Sequence, residues 1–383
     1  MRILMTGAGH FLDKADIVGK DLKELMVLSG GNSGNYMIGH GAMYHLKRAA
    51  GDAGTVTYMK LSQLRFADKV YLEENFDIIV VAGANMINER ADFAFIYRAL
   101  KNVNLPVMAF GVGAQAESSQ VELTPPGGTI NFMKLIAERS DRIGVRGSYT
   151  AEVLSKCGVK NVEVNGCPSY YINSHDKDFR ITVPKRDELQ NFKVSLTMKR
   201  DRKKYHADDQ LRDYQKRMFR EGFDHNYKLV VQTEMLEGNI GFSKKIDEDA
   251  LKRFRKHFEI ADSDLERGRE WLLNNVGIFF TYQEWSDFLS DIDFSYGARF
   301  HGNMMALMKG IPTLAITHDS RTRELCEFLN IPAHPVEKLV EGTEAIYELY
   351  DALDYSYFNS QYHALCDRFN QFMVDNLKKS PVD

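Results

Sequence analysis

The sequence predicts an α/β fold of two doubly wound, Rossmann-like units facing each other across a cleft. Three features carry that expectation. Short apolar runs alternate with longer amphipathic ones along nearly the whole chain, the pattern of parallel βαβ units. The alternation lapses in the charge-rich stretch Tyr171–Asn191 and then starts again. At 383 residues the chain is too long for one ordinary core and suits two of roughly 150–200 residues each. The expected organisation is a first unit at 1–175, a linker at 176–192, a second unit at 193–341 and C-terminal helices at 342–383.

In the first unit the apolar runs place strands at Arg2–Thr6, Thr55–Lys60, Asp77–Ala82, Val107–Val112, Asp141–Val145 and Val162–Val164. Amphipathic spacing places helices near Tyr36–Ala50, Asn88–Lys101, Thr129–Arg139 and Ser148–Lys156. The second unit repeats the plan, with strands at Lys193–Thr197, Tyr227–Gln232, Gly277–Thr281, Asp293–Tyr296 and Thr313–Ile316. Its helices fall near Asp208–Glu221, Glu248–Phe258, Asp264–Asn274, Glu284–Asp291, Gly302–Lys309 and Ser320–Leu329. The aromatic-rich tail from Gly342 to Lys379 reads as helical and suited to packing back on the unit surfaces.

Composition narrows the function classes. A formal net charge of -4 gives no basic face for nucleic acid. No run of about 18 apolar residues is present to span a membrane, which leaves only peripheral membrane contact open. MRILMTG enters a strand-like run without the apolar region of a signal peptide, so a cytoplasmic protein is expected. Cys157, Cys167, Cys326 and Cys366 are scattered without metal-ligand spacing, so reduced thiols and no bound metal are expected.

In doubly wound sheets, ligands bind beyond the carboxyl ends of the strands, where loops and helix N-termini converge. Six segments of the sequence fall there. Ser29–Asn35 (SGGNSGN) is a glycine-rich turn before a helix and offers Asn32, Ser33 and Asn35, although such turns are often structural. Ala82–Asn85 and Gly111–Gln115 follow apolar strands and present Asn85 and Gln115 as readers of hydroxyl groups. Arg146 closes its strand, with an ion pair to a nearby carboxylate as the competing role. Lys199 and Arg200 close the first strand of the second unit and begin a basic turn.

The sixth segment, GARFHGN, is the most specific. Gly297 and Ala298 permit a tight turn, Arg299 supplies a permanent forked cation, and His301 supplies a proton mobile near neutral pH. Asn303 continues the polar surface. An N-terminal helix turn with unpaired N–H groups beneath such a pair is suited to an anionic small molecule. The competing reading makes Arg299 an ion-pair partner and His301 a capping group.

The order of these motifs resembles the polysaccharide pyruvyl transferase family. The resemblance rests on NSGN, DIIVVAGAN, LPVMAFGVGAQ, SDRIGVRGSYTAEVLSKCGVKNVEV, KVSLTMKR and GARFHGNMMALMKGIPTLAI, and covers about the whole chain. The chain departs from the family pattern at Ala82-Gly83-Ala84, at Cys167-Pro168-Ser169 and at Asn35, all in its first half. The resemblance implies a glycosyltransferase-B-like fold, with no cofactor and phosphoenolpyruvate as donor substrate. It implies a sugar or lipid-linked oligosaccharide acceptor, on which two hydroxyls become a cyclic ketal in surface polysaccharide synthesis. Arg299 and His301 match the family's donor site, and Arg200 is a further match. A glycosyltransferase with a nucleotide-sugar donor is the alternative reading of the same architecture.

Overall fold

In the computed structural model, residues 1–7, 12, 14–116, 122–197, 209–341 and 345–378 are described. The first sheet contains β1 (Arg2–Gly7), β2 (Thr55–Tyr58), β3 (Ile78–Ala82) and β4 (Val107–Phe110), in the order β2-β1-β3-β4, all parallel. β5 (Ile143–Val145) and β6 (Val162–Val164) pair in parallel beyond β4. Val112 N–H donates to Gly144 O (3.1 Å) and Arg146 N–H to Val112 O (2.8 Å), joining β5 to the end of β4. The first half is therefore one six-stranded layer.

The second sheet contains β7 (Val194–Thr197), β8 (Lys228–Val230), β9 (Val276–Gly277), β10 (Phe294–Gly297), β11 (Thr313–Thr317) and β12 (Ala333–Pro335). Its order is β12-β11-β10-β7-β8-β9, again all parallel. The chain builds outward from β7 through β8 and β9, then returns to β10 on the other side. This reversal opens a crevice between the carboxyl ends of β7 and β10, the position at which doubly wound sheets bind ligands.

Glycine makes each reversal sterically possible. Gly297 has φ +143°, and a Cβ there would lie 2.3 Å from Thr197 O on the paired strand. Gly7 plays the same part in the first sheet, with φ +123° and a Cβ position 2.2 Å from Ala82 O.

Three differences from the expected elements have local causes. The helix expected from Asn88 begins only at Ala94. Asn88 Oδ1 accepts from Arg90 and Ala91 N–H, and Asp92 Oδ1 from Ala94 N–H, so these side chains hold turns instead. The strand expected over Gly277–Thr281 ends at Gly277, because its neighbour β8 ends at Val230. β12, absent from the expected set, is a three-residue edge strand closed by Pro335.

The sequence Ser356–Leu377 forms a helix that returns to the first sheet. Its Phe369 ring stacks on Tyr171 (4.3 Å, 9°) and meets His45 (4.8 Å) and Phe110 (6.1 Å). The two segments that cross between the halves lie side by side. Asn359 bonds both the N–H and the carbonyl of Ile181 (2.8 Å each), Tyr350 OH donates to Pro184 O (2.7 Å), and Arg186 pairs with Asp351 (3.1 Å). No helix among the described residues is long and apolar enough to cross a membrane.

Phe369 is 1% exposed, so Phe369→Ala opens a cavity inside this junction. The expected loss is about 3–5 kcal/mol of unfolding free energy, measured by urea denaturation.

Candidate functional site

The helix Phe300–Met308 sits between the two halves. Phe300, Met304, Leu307 and Met308 pack with Ile38, Ala42 and Tyr170 of the first half, while Met305 and Ala306 pack with Val230 and Trp285 of the second. Every residue of the helix is buried except His301, which is partly exposed. Apart from Asn303, whose amide is hydrogen-bonded inside the fold, the sequence NMMALM is apolar around the helix circumference, as a helix enclosed on all sides requires. The N–H groups of its first turn lack intrahelical acceptors, as in any helix, and no side-chain cap satisfies them.

Arg299 and His301 leave this turn toward different partners. The Arg299 guanidinium donates to Glu234 and to Thr233 Oγ1, in the loop after β8. Glu234 is 2% exposed and also accepts from the N–H groups of Gln232 and Thr233 (3.0 Å each). Burial alone would raise its pKa. The Arg299 charge and the two backbone donors outweigh burial and bring it to about 2. Glu234 is therefore a fixed anion that offsets much of the charge of Arg299.

His301 Nε2 lies 3.5 Å from Cys167 Sγ, a fully buried thiol of the first half that also lies 3.1 Å from Ser169 Oγ. Burial, with the nearby Arg146 and Arg321 cations, pushes the His301 pKa well below its ordinary value. The imidazole is neutral at neutral pH in the free protein.

Arg146 is 1% exposed. Its Nε donates to Gly111 O (2.9 Å) and its Nη1 to Asn85 Oδ1 (2.9 Å), while Nη2 is buried without a hydrogen-bond partner among the described residues. The competing role of Arg146 as an ion-pair partner finds no salt bridge among the described residues. A buried guanidinium keeps its charge, so a donor and a positive charge remain available beside His301.

A second set of contacts closes the site from the helix Ser320–Leu329. The Glu324 carboxylate accepts from Thr150 N–H (3.1 Å) and Oγ1–H (2.8 Å) in the first turn of the helix Ser148–Lys156. It supplies the cap that this helix lacks in its own sequence. Ser320 Oγ donates to Ala116 O (3.1 Å), and Ala116 N–H donates back to Ser320 Oγ (3.2 Å). Arg321 donates to Asp319 (3.2 Å). On the opposite side of the central helix, His40 stacks on Tyr282 (4.9 Å, 12°), and Tyr282 N–H donates to Tyr36 OH (3.0 Å).

The structure distributes the expected site residues among several roles. Arg146 and Asn85 meet directly, close to His301. Asn303 is 2% exposed and braces the fold instead of facing the cleft. Its Nδ2 donates to Gly297 O (2.7 Å), and its Oδ1 accepts from Thr197 Oγ1 (2.9 Å) and Ser295 Oγ (3.1 Å). Asn32 Oδ1 accepts from Gly34 N–H (2.9 Å) and Asn35 Nδ2 donates to Ser29 O (3.0 Å), so both shape their own loop. That loop reaches the second half through Ser33, whose N–H donates to Gln232 O (3.1 Å). The Gln115 side chain is exposed beside the Ala116–Ser320 contact. Lys199 and Arg200 lie outside the described residues. Glu324, Gln232 and Glu234 enter the site without having been singled out from the sequence, and Cys167 enters it although the sequence marks it only as a scattered thiol and a departure from the family pattern. For Gln232 and Glu234 a signal existed, since they follow a strand's carboxyl end as Arg299 does. Among the described residues no group of three or more His, Cys, Asp or Glu side chains is disposed to hold a metal ion.

Burial raises the Glu324 pKa from 4.5 to about 7, against the opposing effects of Thr150 and Arg146. The folded protein therefore holds this proton more tightly than the unfolded chain does. Folding stability is expected to fall as pH rises from about 4.5 to about 7. Chemical denaturation at both ends of that window should show Glu324→Gln removing most of the fall.

The sequence matches the family described as polysaccharide pyruvyl transferase over residues 32–320. No curated protein matches it. Among solved structures, the S. aureus MnaA–UDP co-structure is similar with 13% identity, full coverage of both chains and a TM-score of 0.49. The UDP-GlcNAc 2-epimerase from Neisseria meningitidis bound to UDP-GlcNAc is similar with 11% identity, over 98% of this chain and 100% of that one, at a TM-score of 0.48. With three quarters of its length matched by one family, the chain belongs to the polysaccharide pyruvyl transferases and is a transferase.

Proposed function

We propose that the protein transfers a pyruvyl group from phosphoenolpyruvate to two hydroxyls of a sugar, forming a cyclic ketal in surface polysaccharide synthesis. The observation that carries this reading is the pairing of His301, the one accessible residue of an otherwise enclosed helix, with the buried and incompletely bonded guanidinium of Arg146. The acceptor is a free or lipid-linked sugar with two hydroxyls close enough to close one ring. The family match supports the transferase class, and the donor and ketal chemistry are the proposal.

In the proposed reaction the donor phosphate faces Arg146 and Arg321, and Arg299 holds the donor from the other side of the helix turn. His301 delivers a proton to the methylene carbon, which becomes a methyl group. Positive charge then develops at the neighbouring carbon, where one sugar hydroxyl adds and gives its proton back to His301. The carbon–oxygen bond to phosphate breaks, the second hydroxyl adds at the same carbon, and its proton leaves with the departing phosphate. Atoms and charges balance without an oxidant or a metal.

The electrostatics of the free site give this proposal a distinctive signature. Burial first, and then the Arg146 and Arg321 cations, keep His301 neutral when the site is empty. A bound phosphate would offset those cations and raise the imidazole pKa, so donor binding would bring the catalytic proton with it. Calorimetric titration of phosphoenolpyruvate at pH 7, in buffers of different ionisation heat, should show net proton uptake, reduced in His301→Ala. In the same variant, phosphate release from phosphoenolpyruvate, assayed with a panel of sugar acceptors, should drop by about 10²–10⁴-fold. Unchanged phosphate release would refute the assignment of His301, and no phosphate release by the wild-type protein with any acceptor would refute the donor.

A further inference from the structure

Gln232 follows β8, and its side chain lies in the seam between the two halves. Its Oε1 approaches Gly34 of the first half so closely that a Cβ there would lie 2.6 Å away. Its Nε2 faces Gly302, in the first turn of Phe300–Met308, where a Cβ would lie 3.4 Å away. Both neighbours are glycines, and that absence of side chains is what lets the amide fit between the loop and the helix. Gln232 is 2% exposed, yet Nε2 has no hydrogen-bond partner among the described residues. Ser33 Oγ, on the residue whose N–H donates to the Gln232 carbonyl, is also buried and without a hydrogen-bond partner among the described residues. A buried donor without an acceptor is unfavourable in the free protein, and here it faces a helix terminus whose own N–H groups lack intrahelical acceptors.

The charge balance selects what this site takes. Arg299 is adjacent but already offset by Glu234, which leaves neutral donors and little net positive charge. Arg146, with no salt bridge among the described residues, leaves the other side of the turn more strongly positive. A dianionic phosphate belongs on the Arg146 side, and a singly charged, planar carboxylate belongs here. We infer that Gln232 Nε2, with the first-turn N–H groups of Phe300–Met308 and the Arg299 guanidinium, forms the subsite for the donor's carboxylate. This assignment rests on the donor reading above and sharpens it. Gln232 becomes the residue that distinguishes a phosphorylated carboxylic acid from a simple phosphate ester.

Calorimetric binding of two probes separates the possibilities: phosphoglycolate carries both groups, and ethyl phosphate carries phosphate alone. Wild-type protein should bind phosphoglycolate at least about tenfold more tightly, as expected for a charge-assisted hydrogen bond. Gln232→Met should lose about tenfold in phosphoglycolate affinity and keep its affinity for ethyl phosphate. Its Tm should be unchanged or higher, because the substitution removes an unpaired buried amide. Gln232→Glu, which keeps the shape and adds a negative charge, should weaken phosphoglycolate further and serves as the reading if Gln232→Met misfolds. Equal phosphoglycolate affinity in wild type and variants, or an equal loss for both probes, would overturn the assignment. If wild-type protein bound neither probe, the donor reading itself would fall, and this subsite with it.

Discussion

The site depends on the enclosure of one nine-residue helix between two parallel sheets. A helix apolar around its whole circumference must be covered on every side, and no single doubly wound sheet can do that. The first half supplies Ile38, Ala42 and Tyr170, and the second supplies Val230 and Trp285. The apolar burial that joins the halves therefore also fixes the N-terminal turn of this helix at their seam. His301 remains accessible because it lies on that turn, at the point where the covering elements separate.

Charge around the turn is arranged asymmetrically. Arg299 meets a carboxylate held at low pKa by Arg299 itself and by its own loop, whereas among the described residues Arg146 hydrogen-bonds only a carbonyl and an amide oxygen. Removing a partner from a buried charge usually costs several kcal/mol, so a protein keeps an incompletely bonded guanidinium only where something else supports it. Here Gly111 and Asn85 hold two of its nitrogens and leave the third directed elsewhere. Preorganised donors of this kind need no rearrangement when an anion arrives.

Much of this was legible in the sequence, and the parts that were not share a cause. Alternating apolar runs gave both sheets, and strand-end position gave Arg146, Asn85, Arg299 and His301. Asn303 was misjudged because polarity near a site predicts exposure, whereas its amide satisfies Gly297, Thr197 and Ser295 inside the fold. Glu324 was invisible because its partner, Thr150, is 174 residues away and belongs to the other half. The helix Leu22–Leu28 carried a readable capping box, Asp21 with Glu24, that strand-and-helix alternation alone overlooked. Local rules find residues whose role depends on their own element, and they miss residues whose role is to reach another.

The paired crossings between the halves have a mechanical consequence. Ile181 with Asn359, Pro184 with Tyr350, and Arg186 with Asp351 tie two covalent connections into a single strap. Sliding one half past the other would shear those bonds, but bending about the strap would spare them. Bending would instead part the seam contacts His40–Tyr282, Cys167–His301 and Glu324–Thr150, together with the apolar packing around the enclosed helix. The strap is thus a spine for the molecule: it joins the halves by chain and hydrogen bonds that are independent of the packing around the enclosed turn.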